Sequence, residues 1–546
     1  MSRLSTPYVP RQPQETVLYA LVKEHLGGFL QHARESYAGP LPKYVVDEFR
    51  SYLGCGDFAR GFVHVQCNAC SEVMAVAFSC KLRGLCPSCG GRRMAGSAAH
   101  LVDRVLPSVP LRQYVLAFPY ELSGLAATRP EVLAALSRIF WESLRMHYQG
   151  WAKAAGHTTS GRVETGAVTG VHRAGASLNV HVHFHLLCLD GVYVDDGERL
   201  RFEPAPAPTR AELTSMLQRI HGRVMRWLSR RGRRCDPDDG HDSNAPREVS
   251  PAEALATAGM QRGSLVTVRE RDDGEDDDEP GVPPQTTPRA TDAVTHERFN
   301  LHASVRIEAL DDLGRERLCR YLNRPAFSLA RLRVRRDGRV SYRVKKATRG
   351  RVTQRVMTPI EALGRLAALV PPPRYPLLRF HGVVAPRHRW RDRVVPRPPG
   401  RAPLCKGEGK RKAGEERGDA EAASGVTTTP PTPRALEPLE AGDGRAAFVL
   451  DALVATRTLT TTGIAECVAP NVLSLAQWDR LLDGELYASS TRLDWRTLLK
   501  RTFDVDLRVC VRCGGRLTLR AVVTAPAAIA RMLAALRRPR APPAAA

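Results

Sequence analysis

A chain of 546 residues exceeds what one hydrophobic core organises and predicts about three domains. Its 43% apolar residues suffice for a sizeable core and exclude a chain disordered throughout. The 81 Lys and Arg against 57 Asp and Glu leave a net charge of +24, which points to a polyanionic partner, nucleic acid before an acidic membrane surface.

The first residues, "MSRLSTPYVPRQPQETV", contain no apolar stretch of a secretion signal, and no run of apolar residues is long enough to span a bilayer. These features predict a soluble intracellular protein. Its 13 cysteines are clustered, which favours metal binding over a disulfide framework.

Residues 14–60 read as mixed helix and loop, and 61–93 as short strands broken by cysteine turns. Cys67-x-x-Cys70 and Cys86-x-x-Cys89 are two knuckles separated by residues 71–85, a spacing that lets four thiolates close around one zinc ion. Such a site has no open coordination position, so the zinc is expected to be structural. Cys80 either substitutes for one ligand or packs in the core, and His64 reads as a strand histidine. A helix is predicted near 94–106, a strand over 111–118, and a helix over 130–154 with Leu133, Leu136, Ile139, Phe140 and Leu144 on one side.

"GAVTGVHRAG" and "NVHVHFHLLCLDGVYV" read as antiparallel strands joined by a Gly/Ser turn. In the second, His181, His183 and His185 alternate with Val182, Phe184 and Leu186, so imidazoles line one face and apolar groups the other. Neighbouring histidines lie about 7 Å apart in Cα, close enough for two nitrogens to hold one divalent cation. A shell with open positions would leave room for phosphate oxygens. The same alternation also suits the wet face of a half-buried sheet.

An amphipathic helix follows over about 210–230, then an acidic, Pro-rich insertion over about 235–295. Residues 298–310 read as a strand. The helix from Asp311 to Asn323 carries Tyr321 near its end, before Arg324 and Pro325. A tyrosine can attack a phosphodiester, but taken alone one among 13 far more often serves core or surface packing. Asp337-Gly338 signals a hairpin with Arg331, Arg333 and Arg335 on one face, continued by Arg343 and Lys345 on the partner strand. Clustered cations at that spacing suit DNA phosphates. In "RHRWRDRVVPR", Arg387, Arg389, Arg391 and Arg393 surround Trp390, which could stack on an unpaired base. A Pro-rich charged linker is expected over 384–445 and a small C-terminal domain over 446–546. There Cys510-x-x-Cys513 is half a metal site, needing Cys405, Cys467 or another subunit.

Taken in order, "GCGDFARGF", "VQCNACSEVMAVAFSCKLRGLCPSC", "TGAVTGVHRAGASLNVHVHFHLLCLDGVYV", "FNLHASVRI", "RLCRYLNRP" and "WRTLLKRTFDVDLRVCVRCGGRL" resemble the HUH rolling-circle transposases of bacterial insertion sequences, the group with an N-terminal zinc-binding domain. The resemblance covers most of the chain outside 235–295 and 400–445. It implies an α+β fold, with an N-terminal four-cysteine zinc module over 1–106. An HUH endonuclease core over 107–383 would follow, an antiparallel sheet with helices on one face. It also implies that His183 and His185 hold Mg2+ or Mn2+, with His181 a non-ligand. Tyr321 would attack single-stranded DNA at element ends and leave a 5′-phosphotyrosine. His302 is the expected third ligand, ahead of Glu164 and Gln218. Arg317 stands one turn before Tyr321, where two-tyrosine relatives carry their other nucleophile. The chain thus resembles the single-tyrosine, common-region branch, which implies sequential use of Tyr321 or a second subunit. The implied location is the bacterial cytoplasm, at the nucleoid. A plasmid relaxase or replication initiator would share this chemistry, and a non-catalytic zinc-dependent DNA-binding protein is the non-enzymatic alternative.

Overall fold

The computed structural model describes residues 12–37, 39–158, 162–234, 249–261, 265–269, 293–344, 351–396 and 508–537, all within one compact unit. Lys345, Cys405, Cys467 and most of the predicted linker lie outside the described residues.

Two helices open the chain. In α1 (Val17–Ser36) the Thr16 hydroxyl accepts from the Tyr19 amide, satisfying an otherwise orphaned first-turn donor. After α2 (Lys43–Leu53) come β1 (Phe62–Cys67) and β2 (Val73–Ala77), and α3 (Pro87–Arg104) starts with proline at its first position. The core begins with β3 (Leu111–Ala117), α4 (Tyr120–Thr128) and α5 (Pro130–Ala154). The short β4 (Arg162–Glu164), the hairpin β5 (Gly166–Ala174) and β6 (Val180–Leu189), then β7 (Gly191–Asp195), β8 (Leu200–Pro204) and α6 (Arg210–Arg234) follow.

The stretch predicted as one acidic insertion contains α7 (Pro251–Met260) and β9 (Leu265–Arg269). The reason is local: Ser250 and Glu253 form a reciprocal capping box ahead of the apolar run "AEALATAGM". Then come β10 (Ala293–His296), β11 (Phe299–Ile307), α8 (Asp312–Leu322), β12 (Leu332–Val334), β13 (Val340–Arg343), β14 (Arg351–Met357), α9 (Pro359–Leu369) and β15 (Leu378–Gly382). At the far end of the chain, β16 (Leu517–Val523) precedes a helix over Pro526–Arg537.

A six-stranded antiparallel sheet, in the order β10-β11-β3-β6-β5-β15, forms the centre. On one face Val182, Phe184 and Leu186 pack under α4 and α5. Phe184 is fully buried, edge-on to Phe118 at 5.1 Å and stacked near Phe140 at 6.4 Å, a burial that contributes roughly 2–3 kcal/mol. On the opposite face Val168, Leu187 and Leu189 pack with Leu101 and Val102 of α3 and Leu318, Cys319 and Leu322 of α8. The fold is α+β as predicted, but helices cover both faces of the sheet rather than one: α4 and α5 lie on the Phe184 face, and α3 and α8 on the face that carries the histidines.

Although 446–546 read as a separate domain, its described part adds β16 to β1, giving a small sheet in the order β16-β1-β2. A four-stranded sheet, β12-β13-β14-β9, carries the arginine hairpin and packs Leu332, Val340 and Tyr342 into the main core.

Asp190, wholly buried just after β6, knots these elements together. Arg112 of β3 donates to both its oxygens, at 2.8 and 2.9 Å, Arg306 of β11 donates at 2.8 Å, and the Tyr148 hydroxyl of α5 donates at 3.0 Å. A carboxylate so surrounded is satisfied, and its loss would strand a buried guanidinium. We therefore expect Asp190→Asn to lower unfolding free energy by about 3–5 kcal/mol, measured by urea denaturation with zinc present.

Candidate functional site

The hairpin register builds the site. In the β5–β6 ladder His172 stands directly across from His183, and Gly170 across from His185. Paired residues share a face, so the second strand contributes a ligand-type side chain that the sequence reading did not single out. Counting outward from the turn at Gly175–Asn179 puts position 172 across from 182. A bulge between His172 and Ala174 shifts the register by one and brings His172 opposite His183, which the linear pattern does not reveal.

The His172, His183 and His185 rings offer ligand atoms that all lie within 4.8 Å of one another. Their hydrogen bonds set the tautomers. His172 Nε2 donates to the Leu322 carbonyl at 3.0 Å and His183 Nδ1 to the His181 carbonyl at 3.0 Å. A carbonyl only accepts, so the lone pairs left are on His172 Nδ1 and His183 Nε2. The Gln113 side-chain amide lies 2.9 Å from His185 Nδ1; with its oxygen accepting from Nδ1–H, the buried and partnerless His185 Nε2 keeps its lone pair. An orphaned buried nitrogen beside two inward lone pairs fits a divalent cation.

Burial, aided by neighbouring His183 and Arg324, pushes His172 well below the usual imidazole range. Burial likewise lowers His185 well below it and His183 to about 4. The three rings are therefore uncharged at neutral pH, the form that binds metal.

His302 does not join the triad. Its β11 position pairs with Val115, which pairs with His185, so two strand spacings, about 10 Å, separate it from His185. Its ring instead meets the Ser304 hydroxyl at 2.9 Å. Glu164 faces Arg145, Gln218 is exposed on α6, and His181 contributes a backbone carbonyl.

Tyr321, near the end of α8, brings its ring to 5.2 Å from His185 and 6.0 Å from His172. Several features seat the helix. The Asp311 carboxylate caps it by accepting from the Gly314 amide at 2.8 Å. Buried Arg315 donates to the Leu106, Pro107 and Val109 carbonyls beyond α3. At the other end a Cβ on Gly170 would come within 2.5 Å of Leu322 Cδ1, so only glycine lets α8 lie this close to β5. The exposed Arg324 guanidinium sits 4.5 Å from the Tyr321 ring centroid. Arg317, one turn earlier, is exposed and donates to the Leu313 carbonyl.

On the hairpin, Leu332 pairs with Tyr342 and faces the core, while Arg333 pairs with Ser341 on the other face. Arg331 ends a short 3-10 turn just before β12 and Arg343 pairs with Gln354 of β14, whereas Arg335 sits in the hairpin turn, 3.6 Å from Asp337. Trp390 is not available to a base. It is buried among Val383, Val384 and Val394, with Arg389 over its ring, Arg391 bonded to the Val384 carbonyl and Arg393 paired to Asp195.

The cysteines divide differently from the predicted single site. Cys86 and Cys89 gather with Cys55 and Cys80, and Cys67 and Cys70 with Cys510 and Cys513. In the first group Sγ separations are 3.5, 3.6 and 3.8 Å, close to the edge of about 3.8 Å of a four-thiolate zinc tetrahedron. Linear spacing pairs the two knuckles. In the fold, β1 and β2 carry the first one away from the start of α3, where the second meets Cys55 at the end of α2.

With this geometry in view, two family resemblances are informative. Residues 21–118 match the family described as "Transposase zinc-binding domain" and residues 166–391 the one described as "Putative transposase". No curated protein and no solved structure matches the chain. Fold, cysteine cluster and family matches define a zinc-containing DNA-processing enzyme. More particularly, the chain is an IS91-like transposase with an N-terminal zinc-binding domain. No helix among the described residues is long and apolar enough to cross a membrane.

If His172 completes the triad, His172→Ala should weaken Mn2+ binding at least about tenfold, while His302→Ala leaves it unchanged. Titration followed by electron paramagnetic resonance checks both.

Proposed function

We propose that this transposase nicks single-stranded DNA at insertion-sequence ends through Tyr321, in the rolling-circle manner. The observation that carries this reading is the tyrosine ring 5.2 Å from a buried triad of neutral imidazoles. His172, His183 and His185 would hold Mg2+ or Mn2+, which supplies Lewis-acid polarisation of a bound phosphate.

The chain's own groups then have distinct tasks. The Tyr321 hydroxyl oxygen attacks phosphorus in line with the bond to the 3′-oxygen. The new bond is tyrosine O–P, the bond broken is P–O3′, and the proton lost from the phenol is balanced by the one gained at the released 3′-OH. The product is a 5′-phosphotyrosine and a free 3′-OH that can prime synthesis. Arg324, beside the same ring, is positioned to neutralise charge on the phosphate's non-bridging oxygens. The hydrogen bond from His172 to the Leu322 carbonyl ties the residue after the nucleophile to the cation shell, so hydroxyl and cation keep one spacing.

Because Arg317 occupies the preceding turn, each subunit supplies one nucleophile. Joining two DNA ends then requires sequential use of Tyr321 or a second subunit. Arg331, Arg333, Arg335, Arg343 and Lys345, just downstream in the chain, are proposed to track the DNA backbone.

The decisive experiment incubates the protein with labelled single-stranded element ends and Mg2+ or Mn2+. Tyr321→Phe should abolish the covalent adduct while DNA binding persists; an adduct that survives assigns the nucleophile elsewhere. No nick from the unaltered protein with either metal would favour a purely DNA-binding role. For the hairpin, replacing Arg331, Arg333 and Arg343 with Gln should reduce the slope of log affinity against log salt by about 0.7 for each phosphate no longer neutralised, measured by fluorescence anisotropy.

A further inference from the structure

We infer that Cys67, Cys70, Cys510 and Cys513 form a second four-thiolate zinc site, distinct from Cys55/Cys80/Cys86/Cys89, that clasps the far end of the chain to the N-terminal module. Two of its ligands lie outside the matched zinc-binding domain, which ends at residue 118.

The geometry is that of paired zinc knuckles. Across the group, Cys67 Sγ lies 3.5 Å from Cys513 Sγ and Cys70 Sγ 3.6 Å from Cys510 Sγ. All four sulfurs fall within 4.8 Å of one another. Those separations match the first group and the edge of about 3.8 Å expected when zinc–sulfur bonds are near 2.3 Å.

Each C-x-x-C turn is closed by the same backbone bond, the Ser71 amide donating to the Cys67 carbonyl at 3.2 Å and the Gly514 amide to the Cys510 carbonyl at 2.8 Å. The Ala69 amide donates to Cys67 Sγ at 3.4 Å and the Gly515 amide to Cys513 Sγ at 3.4 Å, as suits thiolates. A left-handed residue follows each turn, Ser71 at φ 56° and Gly514 at φ 71°. A Cβ at Gly515 would lie 3.0 Å from Cys67 Sγ and 3.2 Å from Cys513 Sγ, so glycine keeps the space between the knuckles open.

Backbone pairing holds the knuckles in place. β1 and β16 run antiparallel from Phe62–Val523 to Cys67–Leu517. The ladder is extended by the Asn68 amide donating to the Arg516 carbonyl at 3.0 Å. Arg512 and Glu72 pair across the two turns at 3.2 Å. Cys67 and Cys510 are buried, Cys70 is half-buried and Cys513 exposed. Four thiolates and no open position make this a structural ion rather than a catalytic one. The cross-link spans residues 440 or more apart, so one ion joins segments on either side of the whole catalytic core.

Metal analysis of the full-length protein, purified under reducing conditions without chelator, tests this. We expect two zinc ions per chain, released stepwise by a mercurial thiol reagent, and one zinc in C510S/C513S. Four-sulfur coordination should appear in the zinc X-ray absorption spectrum. One zinc in the unaltered protein, iron in place of the second zinc, or disulfides linking these cysteines in a non-reducing peptide map would overturn the site. So would two zinc ions persisting in the variant. The unaltered protein's count decides the matter even if C510S/C513S misfolds, and it does not depend on the nicking reaction.

Discussion

The structure depends on one close approach, that of helix α8 to strand β5. Gly170 is what permits it: any side chain there would collide with Leu322. Once the helix is down, the Leu322 carbonyl reaches His172 and fixes that ring's tautomer, while the neighbouring Tyr321 ring comes over His185. Helix placement, imidazole orientation and the position of the proposed nucleophile are therefore one constraint rather than three. Arg315, lending its charge to three carbonyls beyond α3, anchors the other end of the same helix.

A second frame supports the first. Asp190 gathers Arg112, Arg306 and Tyr148 from three elements of the sheet and its covering helix, so the strand that carries His183 and His185 is held at its far end by a satisfied buried charge. Such a network is costly to break and specifies one register, because a slip of one residue would turn the histidines to the apolar face. The surplus positive charge of the chain is partly placed inside, on these guanidiniums, and partly left on surfaces such as Arg333 and Arg324.

Much of this is legible in the linear pattern. The alternation around Phe184 announces a strand with one apolar face, the stripe from Leu133 to Leu144 announces α5, and Asp337-Gly338 announces its hairpin. Local periodicity and turn chemistry act over a few residues, and those elements lie within a residue or two of where the pattern puts them. The pattern fails where partners are distant. Trp390, among arginines, looks exposed in the sequence, but it is buried in a cluster that gathers Leu101 of α3, Leu189 of β6 and Leu318 of α8 from far along the chain.

Residue order alone sets the chemistry available to the site: two histidines on one strand face, a tyrosine near a helix end, and C-x-x-C knuckles with zinc affinity. Which of these groups meet is a matter of folding. His302 lies on the right face but two strands away, whereas His172 is one strand away and directly opposite. The cysteine knuckles, adjacent in sequence, part company because a β-hairpin and a helix start carry them to different neighbours, one of them at the other end of the chain. Ligand sets are fixed by distances of a few ångströms between side chains, and strand pairing sets those distances across any length of intervening chain.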